Sequence, residues 1–185
     1  MVNDLTPFFH SIIQLKSIKR AGWVSKVRIE NAESVADHTF SMCALAMLLS
    51  DMLGLDTQKV MKMVILHDLA ESIVGDYTPD DISAGQKNAK EKKAMKSILT
   101  GLPKPARIEY ELIWLEYLQN KTHTAKFVHR IDKLEMALQA SRYQKQGYDS
   151  KMLAPFFESA RLAIGNKGDI VNKILNSLKP SQIKI

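Results

Sequence analysis

Cysteine is nearly absent: Cys43 stands alone in 185 residues. That excludes an internal disulfide framework and a cysteine-type zinc site. Cys43 falls in the apolar run Met42–Leu49 and is expected to be a small buried apolar side chain in a reducing compartment. Glycine and proline are also scarce, at 8 and 6 residues, so few breaks interrupt the chain. No stretch alternates apolar and polar residues as a half-buried strand does. No apolar run approaches the ~20 residues that span a bilayer. The N-terminus lacks the basic start, apolar stretch and small-residue cleavage site of a signal peptide. These absences predict a cytoplasmic protein with no membrane partner.

What is present is helical periodicity. A chain of 185 residues can bury a good core unaided, and no linker or repeat divides it, so one all-α domain over 1–185 is expected. The first helix is expected over Pro7–Arg20, broken by Gly22-Trp23. Val24–Ala32 is expected to be irregular or extended. A second helix starts at Ser34, with Asp37 placed for a capping box, and Gly54 stops it after Leu53. A third is capped by Asp56 and runs to about Gly75. Further helices are expected over Gln86–Leu99, Ala106–Asn120, Thr124–Gln146, Lys151–Ile164 and Asp169–Leu178. The net charge of +6 is modest and spread out. Its densest cluster, Lys87–Lys96, has no interleaved aromatics and reads as a solvated helix face, so no nucleic-acid partner is expected.

Three helices carry the same anomaly. In Thr57–Glu71 an apolar stripe of Val60, Met63 and Val64 ends in His67-Asp68, with Glu71 four residues beyond His67. His38 shares the apolar face of Val35, Met42, Leu45 and Leu49. Asp132 and Glu135 border the stripe of Phe127, Ile131, Leu134 and Leu138. Burying such groups without partners costs roughly 2–7 kcal/mol each. Either they pair with one another or they hold an ion. Two imidazoles and two carboxylates suit Mn2+, Co2+, Fe2+ or Zn2+, with Mg2+ also admissible.

The order His38, His67-Asp68, Asp132 resembles the signature of the HD-domain phosphohydrolases. The surrounding strings resemble one branch of them, the 5'-deoxynucleotidases: Glu33-Ser34-Val35-Ala36-Asp37-His38, His67-Asp68-Leu69-Ala70-Glu71-Ser72-Ile73-Val74-Gly75-Asp76 and Asp132-Lys133-Leu134-Glu135. Gly22-Trp23-Val24, before the first histidine, also fits that branch, and the resemblance covers roughly Leu15–Tyr143. It implies a helical bundle around a central metal site, with the C-terminal helices of about 151–178 packed on it. It also implies one divalent metal on His38, His67, Asp68 and Asp132, and hydrolysis of deoxyribonucleoside 5'-monophosphates by water activated on that metal. Glu71 and Asp76 become the acid/base and substrate-positioning carboxylates. Trp23 and a cation hold sugar and phosphate; Arg20 is the first candidate for that cation and Arg28 its rival.

Other residues leave alternatives open. Glu33 either orients the ligand helix or pairs with Arg28. His129 is a candidate supporting partner of Asp132, and His10 is structural. Ser72 directly after Glu71 counts against guanosine-tetraphosphate hydrolases. The alternatives are another HD-type phosphohydrolase, acting on a nucleotide polyphosphate or cyclic nucleotide, or a non-catalytic nucleotide-binding module. A homodimer is expected through Phe156, Phe157, Leu162 and Ile164.

Overall fold

The computed structural model describes residues 4–78 and 80–178. Among them there is no strand, only an isolated antiparallel bridge between Lys19 and Ser34. The helices are α1 (Thr6–Gln14), α2 (Val35–Leu53), α3 (Thr57–His67), α4 (Glu71–Val74), α5 (Ala84–Leu99), α6 (Lys104–Gln119), α7 (His123–Lys145), α8 (Ser150–Ile164) and α9 (Ile170–Ser177). None is long and apolar enough to cross a membrane.

α7 is the axis of the bundle. It packs against α2, α3, α6, α8 and α9, and Phe127, Val128, Ile131, Leu134 and Ala137 along it are buried. α2 begins as its sequence demands. The Ser34 hydroxyl accepts from Asp37 N–H at 3.1 Å, and the Asp37 carboxylate accepts from Ser34 N–H at 2.8 Å. Gly54 ends it with φ of 65°, a left-handed conformation that glycine adopts without strain.

Two expected helices end early, and both ends serve the centre of the molecule. α1 stops at Gln14 rather than Arg20, because the next residues pair with the lead-in to α2. Arg20 N–H donates to Glu33 C=O at 3.1 Å and Val35 N–H donates to Ile18 C=O at 2.8 Å, which gives one of α2's first N–H groups a partner. Arg20 is thereby carried across the start of α2. α3 stops at His67 rather than near Gly75. Asp68 has φ of −107° and ψ of 9°, and a new short helix begins at Glu71. Between the two lead-ins, Trp23–Val27 forms a single π turn closed by Arg28 in the left-handed region.

Three further expectations change. Cys43 is half-buried rather than buried. Phe157 and Ile164 lie in the core, and Phe156 packs on Trp23, so of the four apolar residues expected at a subunit contact only Leu162 is exposed. The lysine-rich helix α5 is not wholly solvated: Glu91, Ala94, Met95 and Ile98 are buried.

The lead-in also buries Glu33, whose Oε1 accepts from the Trp23 indole N–H at 2.7 Å. Burial, and then the Glu135 carboxylate, push Glu33 up to about 7 from 4.5. The folded state therefore holds a proton there that the unfolded chain has lost. Stability falls as pH rises from about 4.5 through 7 and is level above. Glu33→Gln, which can still accept from the indole, removes this cost. At pH 8 its melting temperature should exceed that of the wild type and its unfolding free energy should be higher by on the order of 1–3 kcal/mol, with no gain at pH 4.5. Equal melting curves at both pH values would show that Glu33 titrates normally.

Candidate active site

The end of α3 explains why adjacent residues can share one site. In an unbroken helix, neighbours point about 100° apart. The break at Asp68 releases its side chain from that geometry, and Asp68 Oδ2 comes back to 3.0 Å from His67 Nε2. His38 on α2 meets them, its Nε2 lying 3.9 Å from Asp68 Oδ2 and 3.3 Å from Asp132 Oδ1. Ligating atoms of His38, His67 and Asp132 all fall within 4.8 Å of one another; Asp68 adjoins two of them but is outside that mutual set.

The outer nitrogens settle which way the two imidazoles are protonated. His67 Nδ1 is 2.6 Å from Val64 C=O, and a carbonyl only accepts, so Nδ1 carries the hydrogen. His38 Nδ1 donates to Glu135 Oε2 at 2.6 Å. When each ring is neutral, as a metal ligand must be, its Nε2 presents a lone pair inward. Each is buried with no hydrogen-bond partner. His38 Nε2 comes to 3.3 Å from Asp132 Oδ1 without forming a hydrogen bond. Orphaned buried nitrogens cost about 1–3 kcal/mol each, and a divalent ion relieves both at once. Donors about 2.1 Å from one ion stand roughly 3.0 Å apart at right angles and 4.2 Å apart when opposed. The observed separations fit that range. Histidine ligands supported through their other nitrogen are the usual pattern of such sites. Glu33, His38 and Glu135 also cluster within 4.8 Å. There His38 Nδ1 is already committed to Glu135, so this trio is a support for the first site and not a second one.

The site demands positive charge. Burial and Arg20 push His38 down, but the Asp132 and Glu135 carboxylates more than offset them and raise it to about 9, so without an ion the ring holds a second proton that a bound cation would replace. Burial raises Asp68 and Asp132. His67 and Arg20 hold Asp68, and Lys133, His38 and Arg20 hold Asp132, below the usual carboxylate range. Arg20 lies between them, 3.2 Å from Asp68 and 4.0 Å from Asp132. Lys133 Nζ is 3.1 Å from Asp132 Oδ2.

Arg20, Asp68, Asp132 and Lys133 line a cavity of about 520 Å3; the two histidines are not part of its lining. Glu71 lines it and is 1% exposed. Lys87, reaching over from α5, donates to Glu71 Oε1 at 3.1 Å, while Glu71 Oε2 is buried without a partner. Burial, then Asp68 and Asp76, push the Glu71 carboxyl well above its ordinary value. Asp76 is at the rim, where its Oδ2 accepts from Ala21 N–H at 2.8 Å and ties the loop after α4 to the segment carrying Arg20.

The structure thus brings together His38, His67, Asp68, Asp132, Glu71, Asp76 and Arg20. It places Arg28 elsewhere, exposed and outside the cavity lining. Trp23 borders the cavity but is only 2% exposed, and the Phe156 ring stacks on it at 4.1 Å. Glu33 pairs with Trp23 rather than with Arg28. His129 does not support Asp132 directly: its Nε2–H donates to Tyr117 C=O at 3.0 Å and its ring stacks on Tyr117. Sequence reasoning missed Lys87, Tyr117 and Phe156, and gave Glu135 no role. Only Glu135 left a usable signal, its spacing of one helical turn from Asp132.

Comparison with known proteins agrees with this arrangement. The HD domain family model matches residues 12–164. The chain is 37% identical over 157 residues to the human 5'-deoxynucleotidase HDDC2, covering 84% of this chain and 76% of that protein. It is 39% identical over 171 residues to the Dictyostelium discoideum protein of the same name, covering 86% and 90%. Among solved structures, the PH0347 protein from Pyrococcus horikoshii superposes with a TM-score of 0.76 at 28% identity, over 92% of this chain and 98% of that one. With helices, histidine pair and flanking carboxylates all in place, the chain belongs to the HD-domain family.

Proposed function

We propose that this chain is a metal-dependent 5'-deoxynucleotidase, which hydrolyses deoxyribonucleoside 5'-monophosphates to the nucleoside and inorganic phosphate. One observation carries the reading: two buried imidazole nitrogens without a hydrogen-bond partner face two carboxylates of a cavity lined by Arg20 and Lys133. The relatives' names point to the same activity. His38, His67, Asp68 and Asp132 would hold one ion, which is Mn2+, Co2+, Fe2+, Zn2+ or Mg2+. When bound, the ion supplies polarisation of a phosphoryl oxygen and acidifies the attacking water.

The remaining work falls to the side chains. Arg20 and Lys133 meet the phosphate as it displaces their carboxylate partners. Glu71, kept protonated by burial and neighbouring carboxylates, gives its proton to the 5'-oxygen as the P–O bond breaks. The proton released by the attacking water restores it. Asp76 fixes the rim against Ala21 and so positions Arg20. The cavity volume lies in the usual range for small-molecule sites. The domain is read as one unit over 1–185, working in the cytoplasm with a nucleotide as its partner and neither nucleic acid nor membrane. A homodimer is supported by the outer face of α2, where Phe40, Met47, Leu48 and Met52 are exposed. Sedimentation as a monomer at working concentration would remove that element.

Wild-type protein supplied with each metal in turn should release phosphate from dAMP, dGMP or TMP, and His67→Ala should lose at least about a hundredfold, as befits a ligand. Pyrophosphate from a guanosine tetraphosphate, or triphosphate from a dNTP, as the preferred product would assign the chain to a different HD-type hydrolase. Equal rates in wild type and His67→Ala would discard the metal mechanism.

Lys87→Met removes the one hydrogen bond of the Glu71 carboxyl. It should lower kcat by about tenfold and cost ~1–3 kcal/mol of stability, with Lys87→Arg recovering most of both. Full activity in Lys87→Met would return Lys87 to the role of a surface lysine.

A further inference from the structure

We propose that Tyr117 is a catalytic residue that donates its phenolic hydrogen to a phosphoryl oxygen of the bound monophosphate; this rests on the function proposed above. Tyr117 belongs to α6, a helix that supplies none of the four metal-site residues. Its ring lies parallel to His129 at 4.0 Å and 9°, and meets the His67 ring edge-on at 5.5 Å. The hydrogen bond from His129 to the Tyr117 carbonyl fastens backbone and ring together. The side chain is therefore held firmly while being only 9% exposed.

Packing accounts for the ring but not for the oxygen, since phenylalanine would fill the same stacks. The hydroxyl takes part in no hydrogen bond among the described residues, and it is not among the unpaired atoms sealed away from the cavity. A hydroxyl left open at a cavity wall with no protein partner is available to a ligand. Tyr117 lines the same cavity as Asp68, Asp132 and Lys133. A donor that shares a cavity wall with Asp68, Asp132 and Lys133 can meet the oxygen of an incoming phosphoryl group, where a preorganised hydrogen bond has its largest effect on rate.

Tyr117→Phe keeps both ring stacks and deletes one oxygen. Calorimetric binding of inorganic phosphate to the metal-loaded protein should weaken at least about fivefold, and kcat/KM for dAMP should fall about tenfold to a hundredfold, in keeping with loss of one oxyanion donor. Metal content and melting temperature should not change. Phosphate affinity within twofold of wild type overturns the proposal, whether or not turnover changes, because the residue would then act through His67 alone. A wild-type protein that binds phosphate but leaves dAMP intact would refute the nucleotidase reading, and the phosphate comparison would still decide the role of Tyr117.

Discussion

Two imidazole nitrogens kept away from every protein partner constrain the rest of this structure. His38 Nε2 and His67 Nε2 can face a common point only if both rings are protonated on the outer nitrogen. That requires an acceptor behind each ring. α3 supplies one from its own backbone, the Val64 carbonyl one turn back. For His38 the acceptor is Glu135, 97 residues away in sequence. Asp132 and Glu135 are one turn apart on α7, and they address the inner and outer nitrogens of the same ring. The phase of α7 against α2 is thus fixed by one histidine. A rotation of α7 by a single residue would lose both contacts.

Charge sets the next constraint. The cavity lining includes four carboxylates, Asp68, Glu71, Asp76 and Asp132, and four cations, Arg20, Lys26, Lys87 and Lys133. An anionic phosphate monoester, carrying between one and two negative charges at neutral pH, could not enter a balanced lining without repulsion from the nearer acids. The upward push on the Glu71 carboxyl lessens the negative charge of that lining, and a divalent ion would add positive charge. On the proposed mechanism the same push favours a proton where the alkoxide departs.

The helices were legible because their signals are local. Ser34 with Asp37, Asp56 and Gly54 are caps and stops that act within one turn, and they operate where the sequence places them. The metal-site residues stood out as polar groups on apolar stripes. The early ends of α1 and α3 were not legible, since neither has a proline or glycine at its break. α1 is ended by backbone pairing with residues near Ser34, a contact across the chain. α3 is ended where a helical Asp68 would have pointed away from His67. Lys87 was hidden for a related reason: within a run of lysines nothing distinguishes the one whose neighbour in space is a buried glutamate.

Trp23 shows how a correct location can still mislead about a role. Its position beside the cavity was expected, yet its indole N–H is spent on Glu33 and its ring is covered by Phe156. The residue stacked on it also lines the cavity. Phe156 comes from α8, past the segment over which the signature strings resemble a deoxynucleotidase. Gly22 sets the spacing, for a side chain there would bring a Cβ within 3.3 Å of the Phe156 ring. α8 packs along α7, which carries Asp132 and Glu135. The C-terminal helices are accordingly a wall of the site, and the cavity cannot be formed by the residues up to Tyr143 alone.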